Sequence, residues 1–251
     1  MEGLKKEETE TGYTILFEDF LKLDEKGKRE FRSEFCYQSN LIEGIKTPIN
    51  EVKTMDIGEV YEWPHVLGDH FSAFDYMIQN FQNTLDEKHI KKIHFILMQN
   101  LFKNSKKYAG KYREHNVTVG GDSCPQYEQI PALMKNLELD ICRVELQNAW
   151  QEDIWNIHNE FETIHPFADG NGRTGRLILN WLSLKHLGMF NVVEFEKRQE
   201  YYKLIREFKE DFKRKNLNAR FYRDKVPKQD AKSNKLHYDW IDKWTKIIKT
   251  N

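Results

Sequence analysis

Between residues 165 and 176 the chain reads His165-Pro166-Phe167-Ala168-Asp169-Gly170-Asn171-Gly172-Arg173-Thr174-Gly175-Arg176. A histidine titrates near neutral pH and can accept a proton from a hydroxyl. Three glycines, Gly170, Gly172 and Gly175, let backbone N–H groups approach an anion closely. The N-terminus of a following helix adds unpaired donors and roughly half a positive charge. Arg173 and Arg176 lie three apart, share one side of that helix and can grip phosphate in fork geometry. Asp169 beside such a cradle would repel phosphate unless a cation lay between, which predicts Mg²⁺ bridging phosphate oxygens. Base, metal ligand and anion site are the parts needed for a hydroxyl to attack a phosphate. The Gly-Lys-Ser/Thr ending of a P-loop is absent, which excludes that class. Isolated histidines are usually structural, and His94, His115 and His158 are read so.

These residues need rigid elements to hold them. Ile154, Ile157, Phe161 and Ile164 recur at helical spacing and stop against Pro166. Leu177, Trp181 and Leu184 mark the next helix, closing at Gly188. Upstream, Phe31, Phe35 and Ile42 lead to Gly44, and Thr47-Pro48 has the form of an N-cap with proline in the first turn. Leu67, Phe71, Phe74, Ile78 and Phe81 form a long apolar stripe. Thr84 to Glu87 reads as a capping box before Ile90, Ile93, Leu97 and Leu101. The single strand-like stretch is Val117-Thr118-Val119 before Gly120-Gly121, which predicts a small hairpin. The fold class is mainly α with a small β-hairpin.

Composition agrees with a globular chain that buries a real core: 251 residues, 39% hydrophobic and 13% aromatic. No apolar run approaches the roughly 20 residues that span a bilayer, and the acidic first residues lack signal-peptide order. Three widely spaced cysteines, Cys36, Cys124 and Cys142, form no CxxC pair, so the reading is a reducing, cytoplasmic compartment without membrane association. The net charge of −1 hides an asymmetry: residues 201–251 hold 15 Lys/Arg against 7 Asp/Glu. Such a tail can touch nucleic acid, but a solvated helix surface of mixed sign is the preferred reading.

At this point the residues resemble a family. The segment is similar to the signature of Fic-domain proteins, His-Pro-Phe-x-Asp/Glu-Gly-Asn-Gly-Arg-x-x-Arg, and every fixed position is met. Gly110-Lys111-Tyr112-Arg113 followed by the hairpin resembles the family's target-positioning flap, and Arg198 through Tyr201-Tyr202 resembles the segment near the adenine pocket. The resemblance covers roughly residues 31 to 212. It implies a compact Fic-type helical bundle that transfers AMP from Mg-ATP to Ser, Thr or Tyr hydroxyls of a protein, the chain itself included. By this resemblance His165 is the base and Asp169 holds Mg²⁺. ATP is bound by Gly170, Asn171, Gly172, Arg173, Gly175, Arg176, Tyr201 and Tyr202. The flap of Val117, Thr118, Val119 and Gly120 grips the target as an added strand. Lys209 stands where relatives often have an asparagine facing adenine, which leaves base selectivity open.

Ser39 and Glu43 are four apart and share a helical face. Alone they would be ordinary helix surface. Ser39-Asn40-Leu41-Ile42-Glu43-Gly44 resembles the inhibitory helix of some Fic proteins, whose glutamate pairs with the second motif arginine, here Arg176, in place of the γ-phosphate. The implied organisation is an inhibitory helical region over residues 1–60, a Fic core over 61–212 and a basic helical extension over 213–251. Removal of AMP, a different nucleotide donor, a non-catalytic regulatory or nucleic-acid-binding role and a homodimer stay open.

Overall fold

The computed structural model describes residues 4–45, 64–100, 105–146 and 149–221. The helix start expected at Thr47-Pro48, the apolar position Leu101 and the far part of the basic extension lie outside them. The chain runs β1 (Glu7–Glu8), β2 (Gly12–Leu16), α1 (Phe17–Lys22), α2 (Glu25–Ile42), α3 (Pro64–Asn80), α4 (Glu87–Met98) and α5 (Ser105–Tyr108). It continues through β3 (Thr118–Val119), β4 (Asp122–Ser123), α6 (Ile130–Leu146), α7 (Gln151–Ile164), α8 (Asn171–Leu187), β5 (Met189–Val193) and α9 (Arg198–Phe221). The fold is mostly helical, as the sequence periodicity predicts.

Helix α8 is the hub. Every residue from Asn171 to Leu184 is buried, which requires neighbours on all sides, and α3, α4, α7 and β5 all pack against it. Its apolar side chains Leu177, Ile178, Leu179, Trp181 and Leu182 are completely covered. A fully covered leucine-sized side chain contributes about 1.5–3 kcal/mol, so the helix carrying the glycine-rich turn is among the most firmly held elements.

Two expectations need correction. The N-cap of α4 is Asp86, whose Oδ1 accepts from the His89 N–H at 2.9 Å; the helix starts at Glu87, which leaves Thr84 too far upstream to cap it. The hairpin is also not the only β-structure. Strands β1, β2 and β5 form an antiparallel sheet in that order, with Gly12 opposite Val193 and Leu16 opposite Met189. Strands β2 and β5 are covered on nearly every residue, so neither shows the alternation that identifies a strand. The sheet is pinned by Phe190, which stands 4.7 Å from Phe31 and 6.0 Å from Phe74 between ring centroids. The expected hairpin forms between β3 and β4, with Thr118 opposite Ser123. Gly120 and Gly121 turn it with φ of 60° and 88°, a pair of positive values suited to glycine in a tight two-residue turn.

Candidate active site

The chain leaves α7 at His165, whose φ of 51° and ψ of 61° place it in the left-handed region. It is the one non-glycine residue with positive φ among those described. Such backbone costs roughly 1–3 kcal/mol and persists only where the surroundings hold it. Here the His165 N–H closes the helix on the Phe161 carbonyl at 3.0 Å, while its own carbonyl accepts from Arg113 Nε at 2.8 Å. Burial pushes the pKa of the His165 imidazole down to about 4; the Glu162 backbone and Glu43 pull it up in part, and Arg113 and Lys209 press it lower. The ring is therefore neutral at neutral pH, the state a base requires.

The turn after His165 is locked from within. The Asn171 side chain accepts from the Phe167 N–H and donates to the Phe167 carbonyl, each at 2.9 Å, and Thr174 Oγ1 donates to the Gly170 carbonyl at 2.8 Å. With its side chain committed there, Asn171 can offer a ligand only its backbone. The Asp169 carbonyl is fixed from outside by His94. The Gly110 N–H donates to His94 Nδ1 at 2.8 Å, so Nε2 carries the proton and donates to the Asp169 carbonyl at 2.9 Å. The His94 ring stacks on Phe167 at 3.7 Å, and burial holds its pKa near 4. Asp169 itself faces solvent, with Oδ1 accepting from the Gly170 N–H at 2.6 Å. Its exposed carboxylate is a hard oxygen donor at the mouth of the turn. This suits a divalent cation whose other ligands come from phosphate and water. Among the described residues no group of three acidic, histidine or cysteine side chains could hold a metal alone.

Both motif arginines are buried. Arg173 places Nη2 3.5 Å from Met98 Sδ, while its Nε and Nη1 find no acceptor among the described residues. Arg176 is held at the C-terminal end of α2: Nε donates to Ser39 Oγ, and Nη2 donates to the Ser39 carbonyl and to Oε1 of the capping residue Glu43, each at 2.8 Å. A Cβ built on Gly172 would lie 2.1 Å from Glu43 Oε1, so the carboxylate rests on the first turn of α8, and only glycine admits it. An anionic group thus already occupies the positive helix end. Burial works against the charge of Arg176, yet its surroundings, the hydrogen-bonded Glu43 carboxylate among them, outweigh burial and keep the guanidinium protonated. Burial pushes Glu162 up to about 8, so it stays protonated at neutral pH, and the carboxylate bonded to Arg176 is that of Glu43.

Tyr201 and Tyr202 sit behind this site. The Tyr201 hydroxyl meets His158 Nε2 at 2.9 Å and Arg176 Nη1 at 3.4 Å, while Tyr202 donates to the Ile42 carbonyl at 2.8 Å. Gly175 serves the same wall, since its carbonyl accepts from His158 Nδ1 at 2.9 Å. Lys209 is buried on α9 with Nζ 3.7 Å from Asp122 Oδ2 of the hairpin. Val117, Thr118, Val119 and Gly120 lie along the hairpin's first strand and turn, with Val119 exposed. Sequence reasoning missed the parts played by His94, His158 and Arg113. The two histidines bond residues distant in sequence, and no local pattern marks them; Arg113 stood in a noticed motif but without a role.

A helix N-terminus rich in glycine, a neutral histidine one turn before it and a hairpin beside it define the site, and the stretch that carries all three has the pattern of the Fic/DOC family. A Fic/DOC family model matches residues 84–183. A probable protein adenylyltransferase of Aquifex aeolicus is 47% identical over 53 residues, 21% of this chain and 16% of that protein. The protein adenylyltransferase Fic of Drosophila willistoni is 30% identical over 100 residues, 39% of this chain and 20% of that protein. The chain thus matches a fifth or less of these relatives' length. A Fic domain containing signaling protein from Bacteroides thetaiotaomicron shares the fold at a TM-score of 0.59 and 23% identity, covering 76% of this chain and 78% of that one.

Proposed function

We propose that this chain is a protein adenylyltransferase, moving AMP from Mg-ATP to a Ser, Thr or Tyr hydroxyl and restrained by α2. The observation that carries the reading is a neutral, half-buried imidazole at His165 shortly before an anion-binding helix N-terminus on which a carboxylate already rests. In this mechanism the target hydroxyl gives its proton to His165. Its oxygen attacks the α-phosphorus, and the bond to the leaving pyrophosphate breaks. Backbone N–H groups of Gly170, Asn171 and Gly172 take up the charge that develops on the phosphate oxygens. Arg173 brings unpartnered, desolvated donors to the phosphates, Gly175 and Tyr201 shape the wall behind them, and Tyr202 borders the nucleotide. Asp169 would hold Mg²⁺, which when bound neutralises phosphate charge and polarises the reacting centre. The exposed strand of Val117, Thr118, Val119 and Gly120 would pair with an extended target segment.

Restraint follows from the competition for Arg176. A γ-phosphate placed on this guanidinium must displace Glu43, while Ser39 keeps α2 docked. The domain divisions fit this scheme: an inhibitory region over 1–60, the catalytic core over 61–212 and a basic extension over 213–251. The direct test is intact mass spectrometry after incubation with Mg-ATP, comparing Glu43→Gly with Glu43→Gly/His165→Ala. AMP incorporation should appear in the first and vanish in the second, with Mg-ATP binding retained in both. Equal incorporation in the two variants would remove His165 from the mechanism.

A further inference from the structure

Arg113 joins the hairpin to the proposed base through one buried guanidinium. Its Nε donates to the His165 carbonyl at 2.8 Å, Nη1 to the His115 carbonyl at 2.8 Å and Nη2 to the Pro125 carbonyl at 2.6 Å. The Arg113 N–H also donates to the Pro166 carbonyl at 2.9 Å. His115 and Pro125 flank the hairpin on its two sides, so both of its ends and the left-handed backbone at His165 hang from the same planar fork. Arg113 is 4% exposed, and its five N–H donors in a fixed fork suit three carbonyls that come from three separate places in the chain.

We propose that Arg113 is a positioning residue that fixes the hairpin relative to His165, so that a hydroxyl held by the flap arrives at the imidazole. This inference rests on the transferase reading. A target paired to Thr118–Val119 is registered to the hairpin, while the base is registered to the α7–α8 turn. Without the Arg113 side chain, the hydrogen bond left between this residue and the turn is that of its N–H to the Pro166 carbonyl. Misplacing reacting atoms by about 1 Å can cost on the order of 100-fold in rate without loss of binding.

The guanidinium also faces His165 electrostatically. The groups that act on this imidazole are Glu43 from α2 and the Glu162 backbone from α7, which raise its pKa, and Arg113 and Lys209, which lower it, all against a larger effect of burial. Loss of the Arg113 charge should therefore raise the His165 titration midpoint, an effect that a merely structural residue would not produce.

The test uses the full chain carrying Glu43→Gly, with Arg113→Lys and Arg113→Gln added separately and thermal unfolding recorded for each. Transfer of AMP to the chain itself should fall roughly tenfold or more in both variants, while Mg-ATP affinity stays within about twofold. By NMR titration of isotope-labelled histidine, the His165 midpoint should rise in Arg113→Gln and remain at the parental value in Arg113→Lys, which keeps the charge. Parental transfer rates in both variants would overturn the proposal. So would an unmoved midpoint in Arg113→Gln, or equal losses of transfer and nucleotide affinity. Absence of AMP incorporation in the parent would instead overturn the transferase reading, and the titration, which needs no turnover, would still decide the link between Arg113 and His165.

Discussion

Replacing Glu43 by glycine removes the carboxylate that rests on Arg176 while leaving α2 anchored. Ser39 still takes two hydrogen bonds from Arg176, Tyr202 still holds the Ile42 carbonyl, and Asn40 still meets His70 Nδ1 at 2.9 Å. The change is therefore local. A hydrogen bond to a charged group contributes about 1.5–3 kcal/mol net. The Glu43 side chain is 30% exposed against 3% for Arg176, so solvent screening moves the value toward the lower end. At about 1.4 kcal/mol per decade, releasing Arg176 should raise AMP transfer at subsaturating Mg-ATP about tenfold or more. The assay is the initial rate of AMP incorporation, read by intact mass, for wild type, Glu43→Gly and Glu43→Gly/Arg176→Ala. The double variant should be poorly active and non-additive, because brake and substrate share one guanidinium. The same proteins given an AMP-modified substrate test the opposite direction: if removal is the task, Glu43→Gly should lose it. Unchanged rates in both directions would refute the competition argument and reduce Ser39 and Glu43 to a helix-docking contact.

The other expectations concern metal and pH. In a Glu43→Gly background, Asp169→Ala should lower turnover with Mg-ATP by roughly tenfold or more, because the carboxylate acts through the cation. Chelation of divalent ions should abolish transfer by the parent, and equal rates with chelator present would exclude the metal role. The His165 imidazole, held down near 4 by burial, stays neutral above that value and is lost as a base only when pH falls through it. Since Glu43 raises the value, its removal can only move the limb lower. The kcat/KM of Glu43→Gly should thus stay flat from about pH 7.5 to about pH 5.5, whereas an acid limb near an ordinary histidine value of about 6.5 would contradict the picture of a base kept neutral by its surroundings.

The sequence determined the helices and the glycine-rich turn along the 165–176 segment, because both are local. Apolar side chains at three- and four-residue spacing mark α3, α7 and α8 directly, and Gly120-Gly121 marks the hairpin turn through conformations that other residues resist. Where pattern and partner were distant, the tertiary structure decided. Strands β2 and β5 pair across more than 170 residues and are too evenly buried to alternate, so their sheet is invisible to periodicity. The Thr84 cap failed because helix start is set by which residue's backbone leaves the helix, and that residue is Asp86. Ser39 and Glu43 share a face by spacing alone, but that this face meets Arg176, 133 residues beyond Glu43, is a matter of how α2 packs on α8. His94 and Arg113 gain their roles in the same way. Their partners are backbone carbonyls, which every residue carries and no sequence pattern can single out.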